Sequence, residues 1–311
     1  MNQPFISIVI PVYKAENIIN NLVSRLTEAV EIVTSAYEII LIEDHSPDRS
    51  WDLIVEHCDK NPRIKGIKLS RNFGQHSAIS AGLENAGGDC AIVMDCDLQD
   101  NPKYIKDLVA KSNEGFDIIF TIKKKRKYNL FKDVTAGIFH RIFNYLVGNN
   151  DIQSQGLIGS YSLITRKVID AYCQINDVFR PYLYVIQWLG FSKGYIQVEH
   201  EYRNEGKSSY TLSKLISLGL DSIISQTDRL LKLSIFSGFC LSIVGFVSGI
   251  WLIIKYFISG FQAGWLSIFV TIIFSSGLIL ISLGIIALYI GKMFEQTKNR
   301  PYYIIEQKRN F

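Results

Sequence analysis

The most informative segment of this chain is Ile92-Val93-Met94-Asp95-Cys96-Asp97-Leu98-Gln99-Asp100-Asn101-Pro102. It begins as an apolar run and breaks into two aspartates one residue apart. An apolar run bounded by turn residues is typical of a buried strand. Two carboxylates at its end do not both face the core, so we expect Asp95 and Asp97 to point out of the sheet, where open α/β folds bind ligands. Because carboxylate oxygens suit Mg²⁺ or Mn²⁺, ions often shared with substrate phosphates, the pair predicts a metal–diphosphate site.

Strand and helix patterns alternate through the N-terminal part of the chain. The predicted strands are 5–10, 37–42, 64–69, 90–94 and 116–122, and the predicted helices between them are 15–34, 49–58, 75–85 and 102–113. This alternation indicates βαβ units and a parallel sheet, so the predicted fold class is α/β. Further strands are expected at 159–164 and 195–202. The first strand is not followed by a G-x-G-x-x-G motif, which argues against an NAD or FAD enzyme.

Polar residues gather just past each of the first four predicted strands. The groups are Pro11-Val12-Tyr13, Glu43-Asp44, Ser70-Arg71-Asn72 and the pair Asp95/Asp97. Because the carboxyl ends of parallel strands meet at one edge of a sheet, we expect the four groups to lie together there. The sequence therefore predicts a nucleotide site at this edge.

Two long uncharged stretches follow. No residue is charged between Lys232 and Lys255, and none from Tyr256 to Gly291. A membrane-spanning helix needs roughly 20 apolar residues. We therefore expect two transmembrane helices, 233–257 and 265–290, joined by a turn at Ser259–Gly264. The alternative is a helical hairpin buried in a soluble core, but the rest of the chain is too short to cover such a hairpin.

The positive charges predict an orientation. Arg229 and Lys232 precede the first span, and Lys255 alone lies on the hairpin side. Five cations follow the second span: Lys292, Lys298, Arg300, Lys308 and Arg309. The positive-inside rule predicts a multi-pass protein of the inner (cytoplasmic) membrane, with the catalytic domain and both termini in the cytoplasm. Gly245 and Gly249 have the spacing of a helix-packing motif, which leaves a homo-oligomer open.

Composition excludes other classes of partner and site. The formal net charge is +4 over 311 residues, which does not favour nucleic acid as a partner. None of the five cysteines forms a C-x-x-C pair, so neither a zinc site nor a disulfide framework is expected.

The run Lys123–Lys127 is either a solvated loop or a basic loop that meets phosphates or anionic headgroups. Apolar residues at helical spacing over 131–145 indicate either a core helix or a helix lying on the membrane.

Three strings carry a family resemblance: Ile10-Pro11-Val12-Tyr13, Ser70-Arg71-Asn72-Phe73-Gly74 and Asp95-Cys96-Asp97-Leu98-Gln99-Asp100. With the C-terminal hairpin, they resemble family 2 glycosyltransferases. More narrowly, the chain is similar to the polyprenyl-phosphate glycosyltransferases, which include dolichyl-phosphate-mannose synthase and bacterial undecaprenyl-phosphate glucosyl- and aminoarabinosyltransferases. The resemblance runs from Ile6 to Tyr303. It implies a GT-A fold, a Rossmann-like and mostly parallel sheet.

The resemblance also implies roles for individual residues. The implied catalytic residues are Asp95, Asp97 and Gln99, of which the two aspartates would hold Mg²⁺ or Mn²⁺. The implied nucleotide-binding residues are Pro11, Val12, Tyr13, Glu16, Asp44, Arg71 and Asp95. The implied acceptor- or phosphate-binding residues are Lys123, Arg126, Arg203, Lys207 and Ser208.

The chain departs from the family pattern at several positions. An acidic residue expected at Ala15 is supplied by Glu16, and a loop lysine expected at Ser209 is supplied by Lys207. The carboxylate and the arginine expected at 160 and 162 are both serines. A lipid phosphate is already mostly anionic and needs no general base, whereas a sugar hydroxyl does unless Asp97, Asp100 or His200 substitutes.

These observations predict a metal-dependent, inverting, membrane-bound glycosyltransferase. It would move a hexosyl-type sugar from a nucleotide-sugar, with a UDP-sugar favoured, to a polyprenyl (undecaprenyl) phosphate for cell-envelope glycans such as lipopolysaccharide. The alternatives are transfer to a hydroxyl of a lipid-linked saccharide and an idle membrane scaffold. We expect a GT-A domain at 1–210, an amphipathic juxtamembrane helix at 211–232, the two spans within 233–291 and a cytosolic tail at 292–311.

Overall fold

The computed structural model describes residues 4–123, 157–178, 180–198, 229–259 and 264–311. The described residues up to Val198, together with Arg300–Phe311, form one compact unit, and the two long C-terminal helices lie in a second. The helix predicted at 131–145 and residues 211–228 of the helix predicted at 211–232 lie outside the described residues.

A mixed sheet of eight strands forms the centre of the first unit. The strands are β1 (Ile6–Val12), β2 (Tyr37–Glu43), β3 (Ile64–Leu69), β4 (Cys90–Val93), β5 (Ile118–Lys123), β6 (Leu157–Thr165), β7 (Lys193–Val198) and β8 (Ile305–Arg309). Their order across the sheet is β7-β5-β6-β4-β1-β2-β3-β8. Strand β1 pairs in parallel with β2 and β4, and β2 pairs in parallel with β3. Strand β6 runs antiparallel to both β4 and β5.

Helices cover both faces of the sheet. Those of the first unit are α1 (Ile19–Glu31), α2 (Ser50–Lys60), α3 (Gln75–Glu84), a 3₁₀ turn at Pro102–Tyr104 leading into α4 (Ile105–Ser112), α5 (Arg166–Cys173) and α6 (Tyr182–Trp188). Apolar residues of α1, α2 and α4 pack into the core on one face. Apolar residues of α3, α5 and α6 pack into the core on the other face. Because both faces are covered, every residue of β1 and β2 is buried, as is usual for central parallel strands.

Helix α3 lies very close to the sheet at Gly82. A Cβ atom added there would be 2.4 Å from Val9 Cγ1 and 2.7 Å from Ile42 Cδ1. Glycine is therefore required for this approach, which brings the first turn of α3 to the ends of the parallel strands.

The predicted parallel arrangement of the first four strands is confirmed. The first helix begins at Ile19 and not at residue 15, because Lys14 has a φ of 54° and Ala15 N donates to Ser50 Oγ at 3.1 Å. Helices α5 and α6 were not predicted. The predicted tail also contains β8, which pairs with β3 in antiparallel register, Lys68 opposite Gln307.

The second unit contains α7 (Arg229–Ser259) and α8 (Trp265–Thr297). The segments Leu231–Trp251 and Thr271–Thr297 are long and apolar enough to cross a membrane, with mean hydropathies of 2.0 and 2.4. Neither segment is buried inside the protein. Both helices are therefore candidate membrane spans, since exposed apolar surface of this extent is unusual in a soluble monomer.

Candidate functional site

The aspartate pair lies directly past β4. The backbone N–H of Met94 donates to Val9 O at 3.2 Å, and the chain then leaves the sheet. Asp97 Oδ1 accepts the backbone N–H of Gln99 at 3.1 Å, and Leu98 between them has a φ of 58°. This local turn is typical of aspartate and gives the loop a defined shape. Burial raises the pKa of the Cys96 thiol to about 11, so this cysteine stays protonated at neutral pH.

Hydrogen bonds hold the carboxylate of Asp95 from two sides. Gln75 Nε2 donates to Asp95 Oδ1 at 2.6 Å, and Ser160 Oγ donates to Asp95 Oδ2 at 3.0 Å. Gln75 is the first residue of α3 and Ser160 lies in β6. The site thus joins three segments that are distant in sequence.

Asp44, at the end of β2, binds the loop that follows β3. Its Oδ1 accepts the N–H of Phe73 at 2.7 Å, and its Oδ2 accepts the N–H of Gly74 at 2.8 Å. Asp44 is buried. Burial raises the pKa of this carboxyl, although the two backbone donors act in the opposite direction. Asp44 therefore fixes the Ser70–Gly74 loop and the start of α3.

Glu43 is also buried at this edge. Its Oε1 accepts the backbone N–H of Ser46, and its Oε2 has no hydrogen-bond partner among the described residues. Burial raises the pKa of Glu43, and the bond from Ser46 only partly offsets this effect.

The loops after β1 and β2 are bonded to each other. Lys14 N donates to Ser46 Oγ at 2.7 Å, and Glu16 N donates to Asp48 Oδ2 at 3.2 Å. In return, Arg49 N donates to Glu16 Oε2 at 3.0 Å. Glu16 therefore links the two loops at the carboxyl ends of β1 and β2.

The predicted nucleotide residues differ in their exposure. Pro11 and Val12 lie inside β1 and are buried, and Tyr13 is the first exposed residue after the strand, at 44%. Arg71 is exposed, with its guanidinium 4.5 Å from the centre of the Phe73 ring. Gln99 is partly exposed on the loop of Asp97.

The predicted phosphate-binding residues are described only in part. Lys123 is the last residue of β5, where it pairs with Leu157 and Val198. Arg126, Arg203, Lys207 and Ser208 lie outside the described residues.

The donor set at Asp95 and Asp97 fits a hard divalent cation. Both side chains offer carboxylate oxygens on one short loop. Within the described ranges, no group of three His, Cys, Asp or Glu side chains is placed to hold a metal. Mg²⁺ commonly binds through one or two carboxylates and completes its shell with water and substrate phosphates. Two carboxylates are therefore suited to a cation that arrives with a diphosphate.

The two serines of β6 occupy different environments. Ser160 is partly exposed and reaches Asp95, whereas Ser162 is fully buried. Ser162 Oγ is 2.9 Å from the hydroxyl of Tyr182 and also donates to Ser160 O at 2.9 Å. Burial raises the pKa of Tyr182, so this pair is neutral.

No sequence pattern predicted the contacts of Gln75 and Ser160 with Asp95. Gln75 directly follows the Ser70–Gly74 string, which was a signal that it opens a helix at the site. Ser160 was identified as the position of a missing carboxylate, but its partner lies 65 residues away in sequence.

Comparison with known proteins identifies the family. The model of glycosyl transferase family 2 matches residues 7–173, more than half of the chain. The chain belongs to glycosyl transferase family 2. The predicted resemblance to this family is thereby confirmed.

Relatives of this family 2 chain cover nearly its whole length. It is 35% identical over 304 residues to the uncharacterized glycosyltransferase YkcC of Bacillus subtilis (strain 168), covering 97% of this chain and 93% of the relative. It is 32% identical over 316 residues to the undecaprenyl-phosphate 4-deoxy-4-formamido-L-arabinose transferase of Yersinia pestis (strain Pestoides F), covering 99% and 95%. The predicted likeness to the polyprenyl-phosphate type is consistent with this second relative.

A solved structure shows the same fold. The family 2 chain is similar to glucosyl-3-phosphoglycerate synthase from Mycobacterium tuberculosis, crystallised with Mn²⁺, UDP and phosphoglyceric acid, with a TM-score of 0.51 and 16% identity. The match covers 71% of this chain and 77% of that chain. The predicted GT-A fold class, a Rossmann-like mixed sheet, is confirmed.

Proposed function

We propose that this protein is a membrane-bound, inverting glycosyltransferase. It transfers a sugar from a nucleotide-sugar, with a UDP-sugar favoured, to a polyprenyl phosphate such as undecaprenyl phosphate. The product serves the synthesis or modification of cell-envelope glycans.

One observation carries the proposal. The Asp95–Asp97 loop leaves the sheet at the carboxyl ends of four parallel strands, in a family 2 chain whose C-terminal helices are long enough to span a membrane. Such an edge is where open α/β sheets bind nucleotides. The Yersinia relative is named for transfer to undecaprenyl phosphate, which supports the choice of acceptor.

The side chains of the site would divide the work. The loops after β1 and β2, linked through Glu16, would hold the nucleotide base and ribose beside Tyr13, with Asp44 and Arg71 at the same edge. Asp95 and Asp97 would hold Mg²⁺ or Mn²⁺, which when bound neutralises charge developing on the departing diphosphate. Gln99 would lie near the donor sugar. The basic residues Lys123, Arg126, Arg203 and Lys207, with Ser208, would meet the phosphates.

The reaction is a single displacement. An oxygen of the acceptor phosphate forms a bond to the anomeric carbon, while the bond from that carbon to the nucleotide diphosphate breaks. The bonding electron pair leaves with the diphosphate, and the anomeric centre is inverted. Orienting the two reactants in line is the main task of the protein.

The hydroxyl of Ser160 supports a phosphate acceptor. A phosphate monoester has a second pKa of about 6 and is mostly ionised at neutral pH, so it needs no general base. Ser160 supplies no base at the position where the family resemblance implies a carboxylate. A sugar hydroxyl would require a base from another residue, such as Asp97, Asp100 or His200.

The membrane spans support an acceptor that resides in lipid. In this proposal α7 and α8 cross the inner membrane, and the positive charges that flank them keep the catalytic domain and both termini in the cytoplasm. The nucleotide-sugar is then reached from the cytosol and the polyprenyl phosphate from the bilayer.

The test uses the full chain purified in detergent. It is mixed with undecaprenyl phosphate, Mg²⁺ or Mn²⁺, and a panel of UDP-sugars and other nucleotide-sugars. Nucleotide release and the mass of the lipid product are measured. We expect metal-dependent release together with a lipid-phosphate-sugar product, whose mass identifies the donor.

Two variants sharpen this test. Asp97→Ala should lower transfer at least about 100-fold, the effect of removing a group that stabilises transition-state charge. Asp59→Asn, at an exposed residue of α2, is the control and should leave transfer unchanged.

Nucleotide release that requires an added lipid-linked saccharide would assign a hydroxyl acceptor. No release and no metal-dependent nucleotide binding would assign the scaffold role. Undiminished transfer by Asp97→Ala would refute the proposed site.

A further inference from the structure

We propose that Ser160 and Gln75 are positioning residues that fix the carboxylate of Asp95 for the divalent cation. This inference rests on the proposed function, because it concerns the cation at the same site. The family resemblance implies a carboxylate at position 160 where this chain has a serine, and it implies no role for Gln75.

The two donors hold opposite oxygens of one carboxylate. Gln75 Nε2 lies 2.6 Å from Oδ1 and Ser160 Oγ lies 3.0 Å from Oδ2. An aspartate side chain has a broad terminal torsion, so its plane is set by its hydrogen bonds more than by its rotamer. Two donors on opposite oxygens fix that plane. A carboxylate has about four acceptor sites, so these bonds are compatible with binding a cation.

Each donor is itself held on a rigid element. Ser160 lies within β6, a strand that pairs with β4 on one side and β5 on the other. Gln75 follows Gly74, whose N–H is bonded to the buried Asp44. These two donors fix the position of Asp95 relative to the sheet and to the loop after β3. Hydrogen bonds of this kind orient the ligands of metal sites.

A hydroxyl at 160 also has an electrostatic consequence. A carboxylate there would place a further negative charge beside Asp95, at a distance where like charges repel strongly. A neutral donor holds Asp95 without that charge. The site therefore repels an anionic phosphate acceptor less strongly than a site with a third carboxylate would.

The test measures binding of Mn²⁺ and not turnover. The full chain in detergent is titrated with Mn²⁺ in the presence of UDP, and free Mn²⁺ is followed by its electron paramagnetic resonance signal. We expect Ser160→Ala and Gln75→Ala each to weaken Mn²⁺ binding about 10-fold, the usual cost of losing a supporting partner of a metal ligand. Ser160→Thr keeps the hydroxyl and should restore binding to within about 2-fold.

The matched control is Ser162→Ala. It removes a hydroxyl from the same strand, and that hydroxyl bonds Tyr182 and Ser160 O but not Asp95. Its Mn²⁺ affinity should equal that of the wild type. Ser160→Cys replaces the hydroxyl with a thiol, which is similar in size but a weak hydrogen-bond donor. Its Mn²⁺ affinity should be lowered as much as that of Ser160→Ala. Thermal unfolding checks that both variants are folded.

The outcomes separate this inference from the proposed function. Equal Mn²⁺ affinity in wild type, Ser160→Ala and Ser162→Ala would overturn the positioning role while leaving the metal site intact. Equal losses in Ser160→Ala and Ser162→Ala would also overturn it, because the effect would then belong to the strand. A wild-type chain that binds no Mn²⁺ with UDP would refute the metal site itself.

Discussion

The Oδ2 atom of Asp44 lies 2.8 Å from the backbone nitrogen of Gly74 and accepts its hydrogen. This bond connects the end of β2 to the residue that precedes α3, across 30 positions of sequence. Gly74 has a φ of 93°, a conformation that other residues rarely adopt. A carboxylate predicted to meet a nucleotide thus also shapes the loop beside it.

Asp44→Asn is expected to destabilise the protein even without nucleotide. The amide keeps one acceptor for two backbone N–H groups, and its NH₂ faces the other. Leaving a buried donor unpaired costs about 1–3 kcal/mol. Thermal unfolding of the nucleotide-free variant in detergent should show a lower Tm. An unchanged or higher Tm, with only UDP binding lost, would show that Asp44 serves the ligand alone.

Glu43→Gln should change how stability depends on pH. Burial raises the pKa of Glu43 above its ordinary value of 4.5, so the folded protein binds this proton more tightly than the unfolded chain does. The associated stability is present below pH 4.5 and is lost as pH rises through the raised pKa. The variant lacks this loss, so its Tm relative to wild type should increase from pH 4 towards pH 8. Glu56→Gln, the same substitution at an exposed residue of α2, is the matched control.

Arg180→Lys is expected to be strongly destabilising. The guanidinium is buried and donates to Ile175 O at 2.6 Å and to Glu84 Oε1 at 3.1 Å; its carbon lies 5.2 Å from the centre of the Tyr172 ring and 4.7 Å from that of Tyr302. A lysine cannot reproduce these planar contacts, and the cost should be about 2–4 kcal/mol.

The comparison for Arg180→Lys is the surface pair Lys111–Glu114, whose charged atoms lie 2.6 Å apart. Lys111→Ala should change stability by less than about 1 kcal/mol, because surface ion pairs contribute little. Similar Tm values for the two variants would contradict the role given to Arg180.

Asn310→Ala tests the docking of the C-terminal strand. Asn310 Nδ2 donates to Cys58 O at 2.7 Å and to Ile64 O at 2.8 Å, so the end of the chain is tied to α2 and β3. Losing these bonds should cost about 1–3 kcal/mol and lower the Tm. Glu306→Ala, which removes a half-exposed partner of Lys68, should have a much smaller effect. If both variants unfold at the wild-type Tm, the strand contributes no stability.

Local sequence patterns predicted the elements that depend on local physics. The buried parallel strands were predicted from apolar runs, because central strands are covered on both faces. The candidate spans were predicted from the length of the apolar stretches alone, because a membrane-spanning helix needs roughly 20 apolar residues. The helix predicted at 102–113 opens as a 3₁₀ turn at Pro102–Tyr104, where proline fixes φ and the side chain of Asn101 accepts the N–H of Lys103 at 3.0 Å.

The remaining features depend on partners distant in sequence. Strand β8 is short and charged, with no apolar alternation, and it exists because β3 offers an unpaired edge. The antiparallel direction of β6 likewise follows from its neighbours and not from its own residues.

The family, the α/β class, the edge of the sheet that carries the aspartates and the two apolar helices could therefore all be predicted from the sequence alone. Each of these follows from residue type and spacing along a continuous stretch. The contacts of each carboxylate depend on the folded arrangement: Asp95 is held by Gln75 and Ser160, and Asp44 by the backbone of the loop after β3. A hydrogen bond between segments is fixed by how the whole sheet and its helices pack, and no local pattern encodes it.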